Sequence, residues 1–268
     1  MKGAILAAFA FAGALHAQTY GRPAILRNVG IEQHMGATVP LDDPFTDESG
    51  KAVTLRQYSG KPMILALVYY QCPSLCDMVL NGVVRAARSL KFTAGAEYQI
   101  VAVSFDAREN YPLARAKKQT YLKDYGRTGA EAGWHFLTGP ESSSRALADA
   151  VGFHYTYDPI SNQFAHPSSI MILTGDGRIA RYFYGIDYPA RDVKLGLLEA
   201  SGGKIGSPID AVQLFCFHYD PTVGKYGLMI IRVLQLAGLA TLGALLTFML
   251  VMFRRDARAG RTAAGAGA

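Results

Sequence analysis

The sequence predicts an α/β domain built on a mixed sheet flanked by helices, followed by one transmembrane helix. Apolar runs of strand length alternate with segments of helical periodicity between about residues 63 and 200, the order of an α/β protein. The stretch from Val233 to Phe253 carries no charge and is long enough to cross a bilayer. A composition of 50% hydrophobic and 18% charged residues over 268 positions suits one globular domain with apolar segments outside it.

Taken in order, Met1-Lys2, the apolar run Gly3 to Leu15 and the small-residue exit at Ala17 have the pattern of a secretory signal peptide, residues 1–17. Residues 18–38 contain Gly21, Pro23, Gly30 and Gly36 and read as an extended lead-in. Within it His34-Met35 offers two copper-binding residue types, although such a pair in a loop is more often plain surface. The domain then occupies residues 39–201. Two short strands flank a turn at Ser49-Gly50. Met63 to Tyr70, bounded by Lys61-Pro62, reads as a buried strand, and from Pro73 the apolar positions Leu75, Val79, Leu80, Val83, Val84 and Ala87 set a helix to about Phe92. Tyr98 to Phe105 is β-branched and alternating, a second central strand. A helix from about Pro112 to Tyr125 stops at Gly126, Trp134 to Leu137 is a short strand, and Glu141 to Val151 is a helix closed by Gly152. Ile170 to Leu173 and Arg178 to Tyr184 form a hairpin around Gly175-Asp176-Gly177, and a last helix runs from about Pro189 to Ala200.

Residues 202–227 form a juxtamembrane segment, 228–253 the transmembrane helix and 254–268 a tail whose Arg254, Arg255, Arg258 and Arg261 mark it as cytoplasmic. The domain would then face the periplasm from a bacterial cytoplasmic membrane. The formal net charge of +6 owes much to those arginines and is no nucleic-acid footprint. Cys216-Phe217-His218 in the juxtamembrane segment pairs one soft and one borderline donor, but the apolar neighbours Leu214, Phe215 and Tyr219 favour packing near the bilayer surface.

The chemistry concentrates at Cys72-Pro73-Ser74-Leu75-Cys76. Proline suits the first helical position, which places Cys72 at the cap and Cys76 one turn inside, roughly 6 Å further along the axis. That spacing allows a disulfide or two thiolates on one soft metal ion. A helix start also favours thiolate, with pKa values of roughly 3.5 to 7.5 at such positions. The turn lies at the C-terminal edge of the sheet, so a third group should come from a loop at the same end. His166, just before the hairpin, is the best placed; His135 falls within a strand and His154 just after a helix.

These residues resemble the Sco/SenC family of cytochrome c oxidase assembly proteins: Cys72-x3-Cys76 after an apolar strand, and His166 eleven residues before Gly177 of the Gly-Asp-Gly turn. Phe45-Thr46-Asp47-x2-Gly50, Gly60-Lys61-Pro62, Val103-Ser104 and Gly139 frame the motif in the same way, and the resemblance covers about Gly36 to Ala200. It implies a thioredoxin-like domain binding one copper ion, Cu(I) or Cu(II), through Cys72, Cys76 and His166. The implied partner is cytochrome c oxidase subunit II or a similar copper-receiving protein, to whose binuclear site the copper is delivered. The alternative is reduction of that site's cysteines by Cys72 and Cys76 acting as a redox-active, disulfide-forming pair. A peroxidase is disfavoured because no Thr-x2-Cys precedes Cys72, and a non-catalytic assembly scaffold is a third reading. Ala165 stands where the family usually has an acidic residue, which leaves the group that orients the imidazole unidentified. The anchor at the C-terminus, where the family mostly uses the N-terminus, marks a bacterial subgroup.

Overall fold

The computed structural model describes residues 24–26, 28–72, 75–202, 217–220, 225–228 and 230–265 of the chain. The expected signal peptide and the position of Cys216 lie outside the described residues. Strand β1 (Gly30–Ile31) precedes the small hairpin of β2 (Phe45–Thr46) and β3 (Ala52–Val53). The central elements follow as β4 (Met63–Val68), α1 (Leu75–Ser89), β5 (Gln99–Ser104), α2 (Tyr111–Tyr125), β6 (Trp134–Leu137) and α3 (Glu141–Ala150). Then come β7 (Phe153–His154), β8 (Thr156–Asp158), β9 (Gln163–Ala165), β10 (Ser169–Leu173), β11 (Ile179–Tyr184) and α4 (Ala190–Ala200). Past the domain, β12 (Phe217–Asp220) and β13 (Lys225–Leu228) pair as a hairpin, and α5 spans Ile230–Gly265.

The five-stranded sheet has the order β11-β10-β4-β5-β6. β4, β5 and β6 run parallel, while β10 is antiparallel to both β4 and β11. This is the mixed, helix-flanked thioredoxin-like sheet expected. Parallel strands are covered on both faces, which is why β4 reads as an unbroken apolar run: all six of its residues are buried. Each of the larger ones, Ala66 excepted, stabilises the fold by about 1.5–3 kcal/mol. Helix α1 packs against both α2 and α4. Gly82 lets α1 approach the chain after β11, because a Cβ there would sit 2.3 Å from the Ile186 carbonyl oxygen.

Helix ends follow their local chemistry. Asn110 caps α2 by accepting the Leu113 N–H at 3.3 Å, and Gly126 closes it at φ +69° with its N–H on the Leu122 carbonyl. Three pairings arise where no strand is expected from the sequence. β1 joins β7, β8 joins β9, and β12 joins β13 in the segment read as a juxtamembrane connector, with Leu228, the expected first residue of the transmembrane helix, still in β13. Each strand has two to four residues, too short for a period-2 pattern to stand out. Within α5, Leu234–Met252 is long and apolar enough to cross a membrane, and its side chains find no cover from the domain.

Candidate metal centre

The centre forms where the parallel strands β4 and β5 end. After Val68 the chain turns sharply, with the Cys72 N–H donating to the Tyr69 carbonyl at 3.3 Å. Cys76 lies near the N-terminal end of α1, where backbone N–H groups need acceptors other than helical carbonyls. The sulfurs take their place as acceptors: the Cys76 N–H points at Cys72 Sγ and the Tyr69 N–H at Cys76 Sγ, both at 3.4 Å. Cys72 and Cys76 are buried and stand as two thiols.

A buried carboxylate fixes this turn from beneath. Glu109, after β5, accepts the Tyr70 N–H at 2.7 Å, the Gln71 N–H at 2.7 Å and the Ser104 hydroxyl at 2.6 Å. Burial raises its pKa above the ordinary carboxyl range, and the three hydrogen bonds oppose that rise. With both of its oxygens engaged, Glu109 holds the two residues that precede Cys72 in one conformation.

His166 arrives from the other side, one residue past β9. Its Nδ1 lies 2.9 Å from the Pro167 carbonyl oxygen. A carbonyl only accepts, so Nδ1 carries the proton and Nε2 keeps its lone pair. That lone pair faces the thiols, with Nε2 3.3 Å from Cys76 Sγ. Pro167 thus supplies the orienting contact that Ala165 cannot. Tyr69, Phe105 and Phe153 surround the imidazole at ring-centroid distances of 5.8, 5.4 and 6.1 Å.

Cys72 Sγ, Cys76 Sγ and His166 Nε2 all lie within 4.8 Å of one another and could hold a metal ion. Bonds of about 2.0–2.3 Å to one ion place its donors roughly 3.5–4 Å apart, close to this spacing. Sequence reasoning expects a helix start to lower the thiol pKa values. For Cys76 burial wins and pushes the thiol up, reinforced by the neighbouring Cys72. A soft cation reverses that balance, since a coordinated thiol gives up its proton. Tyr69 stays protonated, its hydroxyl pushed up by burial and by its hydrogen bond with Cys72.

The remaining candidates lie elsewhere. His135 is in β6 as expected, stacked on Tyr58 at 4.0 Å, and burial pushes its imidazole down to about 4. His34 and His154 sit on the β1–β7 side and take no part in the cysteine site. The sequence reading missed Glu109 and the Pro167 carbonyl. The first is a loop carboxylate whose main-chain partners lie 38 and 39 residues away, and the second is main chain and leaves no side-chain signal.

An open cleft of about 330 Å³ adjoins the centre, lined by Phe105, Arg108, Arg145, Tyr155, Tyr157 and Phe164. Arg108 lies 5.1 Å from the Tyr157 ring and 5.5 Å from the Phe164 ring, and its guanidinium donates to Asn162 Oδ1 at 3.0 Å. These contacts tie the β8–β9 hairpin to the loop after β5.

Known proteins share the sequence pattern and the fold. Residues 37–194 match the sequence model of the SCO1/SenC family. Among solved structures, a protein of Aquifex aeolicus VF5 is 25% identical over 63% of this chain and 96% of its own, with a TM-score of 0.56. A SCO1/SenC family lipoprotein from Bacillus anthracis is 17% identical over 63% and 99%, with a TM-score of 0.52. A copper-bound ScoI from Arabidopsis thaliana is 18% identical over 62% and 97%, with a TM-score of 0.49. No curated protein sequence matches the chain.

Proposed function

The chain belongs to the SCO1/SenC family, and we propose that it is a membrane-tethered copper metallochaperone serving assembly of the binuclear copper site of cytochrome c oxidase subunit II. One observation carries the reading: two sulfurs and an imidazole nitrogen, the last freed for a metal by the Pro167 carbonyl, lie within 4.8 Å of one another. Two soft thiolates suit Cu(I), and the added imidazole accommodates Cu(II). A closed zinc site prefers four protein ligands, which this set does not supply. Copper is the cargo, so the site must both hold and release it. Helix α5 supplies the tether, and the arginines after the apolar stretch favour a cytoplasmic tail with residues 39–201 in the periplasm.

A second reading shares the same atoms. Cys72 and Cys76 are close enough for each thiol to become one half of an S–S bond. Closing that bond would pass two electrons and two protons to a disulfide in the target, which opens to two thiols. This reading is favoured by the placement of the pair at a strand-to-helix turn, with the Cys76 N–H on Cys72 Sγ at 3.4 Å.

Copper titration of the full-length chain in detergent, reduced and then mildly oxidised, tests the proposal. The reduced chain is expected to bind one copper at this site, with a sulfur-to-Cu(II) charge-transfer band. The oxidised chain should lose two hydrogens at the Cys72–Cys76 peptide and lose its Cu(I) binding. Full Cu(I) binding by the oxidised chain would overturn the assignment.

A further inference from the structure

The cleft beside the metal centre holds two polar groups that the fold leaves idle. Its floor is aromatic: Tyr155 stacks on Phe105 at a ring-centroid distance of 4.5 Å and meets the edge of Phe164 at 5.8 Å. Tyr155 is only 6% exposed, yet its hydroxyl has no hydrogen-bond partner. A buried phenol normally finds one, because an unmade bond forfeits the one it had with water. The charges that act on this hydroxyl include Arg145, Glu141 and Asp106, all of which line the cleft, so it stands on the cleft side of the ring.

Arg145 is the second group. Its guanidinium lies 4.2 Å from the centroid of the Tyr155 ring, a cation held over an aromatic face. It faces Glu141 at 3.9 Å, beyond hydrogen-bond reach, and donates no hydrogen bond among the described residues. Its planar fork of five N–H donors, a shape matched to a carboxylate, is therefore uncommitted. The other charges of the cleft do not cancel this. Arg108 holds both oxygens of Asp106, at 2.8 and 2.7 Å, so that pair is neutral. Glu141 is 74% exposed and has room to turn to solvent. Pro140 caps α3 without a side-chain acceptor, which leaves the positive end of that helix at the edge of the cleft.

We propose that this cleft binds a carboxylate carried on a short apolar body, its oxygens taking the hydrogens of Arg145 and of the Tyr155 hydroxyl and its apolar part resting on the aromatic floor. A volume of about 330 Å³ is at the low end for small-molecule sites, with room for a small organic acid or for one acidic side chain of a docked protein. Phe105 also packs on His166 at 5.4 Å, so an occupied cleft touches the ring that holds the imidazole. The inference rests on the cleft alone and stands whether or not Cys72, Cys76 and His166 carry copper.

Fluorine NMR on the full-length chain in detergent, reduced and copper-free, tests it with two probes. Para-fluorobenzoate is a free acid, and acetyl-glutamyl-para-fluorophenylalanine amide carries its carboxylate on a side chain. At least one should broaden on binding, whereas para-fluorobenzamide, which lacks the charge, should behave as it does in detergent alone. Arg145→Gln should weaken carboxylate binding at least about tenfold, the worth of a hydrogen bond to a charged group. Tyr155→Phe should weaken it by about two- to tenfold, the worth of a neutral one. Glu141→Gln should tighten it by removing the neighbouring negative charge. That residue is exposed, so this variant decides by its opposite sign if Arg145→Gln unfolds. Binding of the free acid alone supports a small-molecule site, and tighter binding of the dipeptide supports a seat for a partner's acidic side chain. No binding of either carboxylate, or equal binding of the amide, would overturn the proposal, as would unchanged binding in a folded Arg145→Gln.

Discussion

Cys72 and Cys76 leave the end of a fully buried parallel strand and are fixed through the main chain, with Glu109 gripping Tyr70 and Gln71 and backbone N–H groups aimed at both sulfurs. His166, in contrast, follows a three-residue strand of a hairpin whose tip residue Ile160 is 95% exposed, and it is held by ring contacts and by its neighbour's carbonyl. The two halves of one centre are therefore held by different kinds of contact. The thiols form a preset pair, and the imidazole is a ligand on an arm. Such a division would suit the proposed release of the ion, because one ligand could leave without disturbing the others.

The largest effects expected of single substitutions follow from that contrast. Cys72→Ser or Cys76→Ser should weaken Cu(I) binding by more than about a thousandfold, or ~4 kcal/mol, since a single thiolate cannot hold the ion. His166→Ala should cost less for Cu(I) than loss of either thiolate, since Cu(I) prefers the soft sulfurs, but more than about tenfold, the least that disturbing even an outer contact costs, and should shift or erase the Cu(II) charge-transfer band. Competition against a Cu(I) chelator, with absorption spectra of the Cu(II) form, measures both. Equal losses for Cu(I) in the cysteine and histidine variants would break the comparison.

The thiol half of the centre was the more legible in the sequence. β4 and α1 announce themselves through an unbroken apolar run followed by 3.6-residue periodicity, and Cys72-x3-Cys76 sits at their junction. The described part of the helix runs from Leu75, and Pro73 and Ser74, on which the expected cap at Cys72 depends, lie outside the described residues. The arm was less legible. β8 and β9 have three residues each, and Arg108 from another loop packs on their hairpin, so His166 could be chosen only as a loop residue near the right edge. The segment Asp106 to Asn110 only loosely follows the family's acidic loop, and the role of Glu109 in it is not legible because it receives main-chain N–H groups, and nothing in a sequence marks which carboxylate a turn will select. The thiol pKa was misjudged for a related reason. Periodicity reveals a helix start but not how deeply its first turn is buried.

An intermediate effect is expected at Glu109. Glu109→Gln places an amide NH₂ against donors, leaving one of them unsatisfied at a cost of about 1–3 kcal/mol of stability. It should also change the pH dependence. The folded-state pKa of Glu109 is raised, so the folded chain holds that proton more tightly than the unfolded one. Its contribution is fully present below the unfolded value and is lost as pH rises through the raised folded value. Denaturant unfolding from pH 4 upward should therefore show a decline in stability that Glu109→Gln flattens. Metal affinity should fall with it, because the turn before Cys72 loosens. A variant with wild-type stability and an unchanged pH slope would show that the thiols are held by other means and would sharpen the search for them.

The smallest effect is expected at the tip of the arm. Ile160 touches nothing that stabilises the domain, and its N–H is already satisfied by Asp158 Oδ1 at 3.0 Å. Ile160→Ser should therefore change stability by less than about 0.5 kcal/mol, as surface substitutions do, and leave copper affinity unchanged. Arg108→Ala removes the contacts to Tyr157, Phe164 and Asn162 that hold the hairpin to the loop after β5, so it should loosen His166 while sparing the thiols. Read together by the Cu(II) charge-transfer band and by Cu(I) competition, the pair locates where the arm begins. If Arg108→Ala alters the Cu(II) band but leaves Cu(I) affinity near wild type, the flexible element runs from β8 to His166. If Ile160→Ser does the same, the hairpin moves as one lever from its tip, and the imidazole is no better anchored than the residue farthest from the fold.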